Sequence, residues 1–118
     1  METKLNVALI QTDLVWEQPG ENRKHIEFYL NKVSKRADVV FLPEMFTSGF
    51  TMNPKSVAES MSGTTITWMK NWSVKLGAAI AGSLVVEENG KFYNRFVWVN
   101  DDGSTHYYNK RHLFTLAG

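Results

Sequence analysis

Residues 37–46 read ADVVFLPEMF, and the fold turns on how this decapeptide is interpreted. Val39, Val40, Phe41 and Leu42 form a short run without a polar face, the pattern of a central strand covered by a layer on each side. Pro43 has no N–H to give to a sheet ladder and stops the run. Glu44 follows at once, flanked by Pro43 and Met45, neither of which can pair with a charge. In an open α/β sheet the carboxyl end of such a strand faces the crevice that receives ligands. Apolar neighbours disfavour the charged form of a carboxyl group, an environment suited to a general base. A strand-end glutamate that merely caps a turn or meets a lysine explains the position equally well.

Upstream, residues 4–12 (KLNVALIQT) read as a first, largely buried strand. Ile26, Tyr29, Leu30, Val33 and Ala37 recur at helical intervals and predict an amphipathic helix over residues 21–36. Strand, helix and strand in so short a span make a βαβ unit, whose strands run parallel. Downstream, residues 47–63 have the Gly, Pro and small polar composition of a long irregular loop, a kind of segment that is often functional. A second helix is predicted from Thr65, as N-cap, to Leu76, with Gly77 ending it and Trp68, Met69 and Trp72 as packing residues. Residues 78–87 and 91–100 then flank Asn89-Gly90, a hairpin signal because Asn-Gly accepts the positive φ of a type I′ turn. On the returning strand Phe92, Phe96 and Trp98 share one face, while Tyr93, Val97 and Val99 share the other. The order βαβαβββ predicts an α/β layered sandwich, with residues 1–118 in one domain and no linker or repeat.

Composition narrows the function. Thirteen basic and twelve acidic residues leave a net charge of +1, which gives no electrostatic case for nucleic acid or an anionic membrane. No stretch approaches the roughly 20 apolar residues that span a bilayer, and the start lacks the pattern of a secretory signal, so a cytoplasmic location is expected. The absence of cysteine excludes disulfides, thiolate metal sites and a cysteine nucleophile within these residues. His25, His106 and His112 lack metal-ligand spacing, and the glycines form no phosphate-binding fingerprint, so neither a metal nor a cofactor is expected. Lys110, near the end of the last predicted strand, is the second candidate. Held near a glutamate it could donate to a developing oxyanion, or it could be an edge-strand lysine that discourages aggregation.

Four segments, VALIQTDLVWE, VVFLPEMFTSGF, AGSLVVEENGKFYNRFVWVNDDG and HYYNKRHLF, resemble in order and context the N-terminal half of the nitrilase, or carbon–nitrogen hydrolase, superfamily. LPEMFTSGFTMNP and YNKRHLFTLAG are most similar to its omega-amidase group, which hydrolyses side-chain amides of 2-oxo acids such as 2-oxoglutaramate. The resemblance implies the N-terminal half of a four-layer αββα sandwich and a Glu–Lys–Cys triad. In that triad Glu44 matches the general base and Lys110 the group that stabilises the tetrahedral intermediate. The family's cysteine lies downstream of the lysine, past Gly118, so residues 1–118 are expected to be the first part of a longer domain, inactive alone. A small-molecule amide is the implied substrate and a homodimer or higher homo-oligomer the implied assembly. Hydrolysis of a nitrile or an N-carbamoyl compound, and a non-catalytic scaffold of the same fold, are the alternatives. Retention of both Glu44 and Lys110 weighs against a scaffold.

Overall fold

The computed structural model describes residues 4–110. In chain order the elements are β1 (Val7–Leu9), α1 (Pro19–Leu30), β2 (Val39–Phe41), α2 (Pro54–Val57), α3 (Thr64–Leu76), β3 (Ala79–Glu88), β4 (Lys91–Val99) and β5 (Thr105–Asn109). They build one five-stranded sheet in the order β1-β2-β3-β4-β5. The pairs β1–β2 and β2–β3 are parallel, as the crossover helices require; β3–β4 and β4–β5 are antiparallel.

Because side chains alternate along a strand, the register sorts them onto two faces. One face collects Ala8, Ile10, Val40, Leu42, Ile80, Leu84, Val86, Val97 and Val99, and on it pack Ile26 and Leu30 of α1 and Ile66, Met69 and Trp72 of α3. This is the main core. Each such aliphatic side chain contributes about 1.5–3 kcal/mol on burial. Met69 and Trp72 are packing residues, as read from the sequence, and Trp68 stacks on Phe46 with ring centroids 6.0 Å apart. The opposite face holds Val7, Leu9, Phe41, Phe96, Trp98 and Tyr108. A small cluster of Met45, Val57, Val85 and Phe92 closes one end of it.

Several boundaries differ from those expected. The first strand is three residues long, and Val7 and Leu9 are exposed instead of buried, because β1 is an edge strand whose second face has no layer over it among the described residues. Helix α1 starts at Pro19, which suits a first-turn position where no N–H is needed, and stops at Leu30 instead of running to Arg36. There the ladder tightens: Lys32 and Val33 donate to Tyr29 and Leu30 three residues back, and Ala37 donates to Ser34. The loop of residues 47–63 contains the four-residue α2 and a bridge from Glu59 to Val86.

Helix α3 begins at Thr64 with Gly63 in the cap position, so Thr65 is not its N-cap. The Thr65 N–H instead donates to Glu59 Oε1 at 2.8 Å, a carboxylate placed where the helix dipole favours it. Its other end matches the reading, with Gly77 left-handed at φ 63°. The Asn89-Gly90 turn likewise has both residues at positive φ, 54° and 75°.

Candidate functional site

Glu44 stands where β2 ends and the chain turns back over β3. The turn is built by β3 residues that the parallel pairing brings alongside. Leu42 N–H donates to the Ala81 carbonyl at 2.8 Å, and Phe46 N–H to the Ser83 carbonyl at 3.0 Å. Between them the Ser83 hydroxyl accepts from Met45 N–H at 2.8 Å. Met45 is left-handed at φ 52°, a conformation costing a non-glycine residue about 1–2 kcal/mol and found preferentially at functional sites. The turn swings the Met45 side chain into the small cluster and Phe46 over Gly82, and leaves the Glu44 carboxylate pointing outward. A Cβ at Gly82 would lie 2.8 Å from the Phe46 ring, so only glycine admits this packing.

The carboxylate is not enclosed by apolar groups, as its sequence neighbours had implied. Its side chain is 49% exposed, and its partner is Lys110, whose Nζ donates to Glu44 Oε1 across 66 residues of sequence. Lys110 is placed by the end of β5: its N–H donates to the Asn94 carbonyl at 2.8 Å, extending the β4–β5 pairing by one residue. Both candidates named from the sequence therefore meet, on the less covered face of the sheet. Arg111, His112 and the remainder of YNKRHLF fall outside the described residues.

The segment after Glu44 is clamped to the segment after β1. Asn22, fully buried in α1, donates through Nδ2 to the Val15 and Thr47 carbonyls and accepts from Val15 N–H, each at 2.7 Å. Trp16 Nε1 donates to the Phe50 carbonyl at 2.9 Å, and Thr51 Oγ1 to a Glu17 carboxylate oxygen. In this segment Met45 is core packing and Phe50 is exposed.

Ser83 and Arg95 were not singled out by the sequence reading. Ser83 was the more visible, a lone hydroxyl in an otherwise apolar strand, AAIAGSLVV. Among the described residues no three His, Asp or Glu side chains come together as metal ligands, and no helix is long and apolar enough to cross a membrane.

Residues 6–118 match the carbon–nitrogen hydrolase family, and the chain belongs to it. The α/β fold with its nitrilase-like topology is thereby the one expected from the motif order. An omega-amidase YafV of Yersinia enterocolitica is 41% identical over 116 residues, a match covering 97% of this chain and 44% of the relative. A 2-oxoglutaramate amidase of Bacillus subtilis is 35% identical, covering 96% of this chain and 45% of the relative. The crystal structure of a CN-hydrolase superfamily protein from Xanthomonas campestris, with an arsenic adduct in its active site, superposes with a TM-score of 0.89 at 38% identity, covering 96% of this chain and 43% of that one. The chain spans less than half the length of these relatives.

Proposed function

We propose that these residues supply the general base, Glu44, and the oxyanion-side cation, Lys110, of an amidase that hydrolyses small linear amides of 2-oxo acids. The expected substrate is 2-oxoglutaramate, by likeness to the omega-amidase and 2-oxoglutaramate amidase relatives. The observation that carries the reading is the Glu44–Lys110 contact at the carboxyl end of a parallel strand, where α/β sheets receive ligands.

Residues 1–118 contain no cysteine, so the reading places the nucleophilic thiol outside them. Glu44 takes the thiol proton and the thiolate attacks the amide carbon. Lys110 donates to the oxygen on which negative charge develops. Collapse of the tetrahedral intermediate breaks the C–N bond, and the proton held by Glu44 goes to the departing nitrogen, which leaves as ammonia. Glu44 then deprotonates the water that cleaves the thioester, releasing the 2-oxo acid and the thiol. No cofactor enters this cycle. A homo-oligomeric state, on the family resemblance, and a cytoplasmic location complete the reading.

The test uses protein expressed from the complete coding sequence, supplied with 2-oxoglutaramate, a short aliphatic nitrile and an N-carbamoyl amino acid. Ammonia release from the 2-oxo acid amide is expected to exceed that from the other two by about 100-fold in kcat/KM. Residues 1–118 alone are expected to release none. Preference for the nitrile or the carbamoyl compound, or no release from any of the three, would contradict the reading.

A further inference from the structure

Arg95 occupies a position that its strand does not explain. The register puts it on the helix-covered face, paired with Leu84 and in line with Val97 and Val99, and it is fully buried. Removing a guanidinium from water costs several kcal/mol unless its donors are met. Nη1 and Nη2 donate to the two Glu88 oxygens at 3.2 and 3.4 Å, and Nε donates to Asn109 Oδ1 at 2.6 Å. The Tyr107 ring covers the guanidinium, with Cζ 4.1 Å from the ring centroid.

Apolar residues of similar volume often serve stability as well as a buried ion pair does. What arginine adds is direction, a planar fork with fixed donor vectors. Here the fork ties the end of β3, the middle of β4 and the last residue of β5 together. That last residue, Asn109, immediately precedes Lys110. Alternation sends Asn109 to the Arg95 side of the sheet and Lys110 to the Glu44 side.

We propose that Arg95 and Asn109 are positioning residues for Lys110: their hydrogen bond fixes the end of β5 from the helix face, so that the ammonium is held against Glu44 on the opposite face. The inference rests on the reading that Glu44 and Lys110 carry the chemistry. A lysine carries its charge on a flexible four-carbon stem, so holding the ammonium in one place needs an anchored backbone. Misplacing a catalytic group by about 1 Å can cost on the order of 100-fold in rate.

The test compares Asn109→Ala, Asn109→Asp, Lys110→Ala and the Asn109→Ala/Lys110→Ala double variant in protein expressed from the complete coding sequence, with 2-oxoglutaramate as substrate. Asn109→Ala is expected to lower kcat about 10- to 100-fold while KM stays within about threefold. Asn109→Asp, which keeps an acceptor for Arg95 Nε, restores kcat. The double variant is no slower than Lys110→Ala, because the two residues act through one group. Wild-type kcat in Asn109→Ala beside an inactive Lys110→Ala overturns the positioning role and leaves the catalytic reading intact. Full additivity in the double variant overturns it as well, by showing a merely structural loss. Wild-type turnover in Lys110→Ala overturns both. Should Asn109→Ala not fold, Asn109→Ser, which shortens the side chain away from Arg95, is held to the same criteria.

Discussion

The two faces of the sheet are drawn from the same strands one residue out of step, and they are used differently. On one face Val40, Ile80, Leu84 and Val97 are sealed beneath α1 and α3, with Phe46 folded over Gly82. On the other, Leu9 is 68% exposed, Tyr108 is 63% exposed, and the Glu44–Lys110 pair stands in reach of solvent. The sealed face specifies the fold through shape. The open face presents groups delivered by strand ends: Ser83, on that same face, fixes the turn that carries Glu44, while Asn109, tied to Arg95 on the sealed side, precedes Lys110. The division of labour is therefore between faces more than between segments.

That contrast can be broken most forcefully on the sealed side. Gly82→Ala puts a methyl group 2.8 Å from the Phe46 ring and 3.0 Å from Leu42 Cβ, and both neighbours belong to the core. Overpacking of this kind is expected to cost about 3 kcal/mol, read as a lower denaturation midpoint, and to disturb the turn bearing Glu44. A midpoint equal to that of wild type would show that the Phe46 contact is not tight.

The smallest effect is expected far from the pair, in the β4–β5 turn. Hydrogen bonds from the Ser104 hydroxyl and N–H hold the Asp102 carboxyl below its ordinary value, with a smaller contribution from His106. A carboxyl whose folded value is depressed stabilises the fold above its unfolded value, and loses that contribution as pH falls through the folded one. Asp102→Asn should therefore lower the melting temperature slightly at neutral pH, and the difference from wild type should shrink as pH falls below the ordinary carboxylate value and through the lowered one. A difference that persists or grows in acid would contradict this account of the turn.

Local chemistry made much of the architecture legible. The apolar run of β2, the Asn89-Gly90 turn and the Gly77 stop each depend on a few neighbouring residues, and each matches the structure. Helix α1 is shorter than its pattern implies because the apolar periodicity continues through Val33, whereas its hydrogen bonds turn to three-residue spacing after Leu30. Thr65 resembled an N-cap, but a carboxylate from Glu59, six residues earlier, serves that end of the helix. For the site, pattern alone left Glu44 and Lys110 each with an ordinary explanation, and only the family resemblance joined them. Their contact bridges 66 residues, a separation that periodicity cannot report. Arg95 escaped notice for the same reason, since its partners come from β3 and β5 and an arginine in a hairpin strand is expected to face water.

In the proposed mechanism Glu44 is a base and not a turn carboxylate. Glu44→Gln keeps the size of the side chain and one acceptor oxygen, and removes its ability to take a proton. Its kcat on 2-oxoglutaramate, measured beside wild type in protein expressed from the complete coding sequence and with circular dichroism as a check on the fold, separates the two roles. A loss of about a thousandfold with an unchanged spectrum is expected. Turnover equal to that of wild type would contradict it.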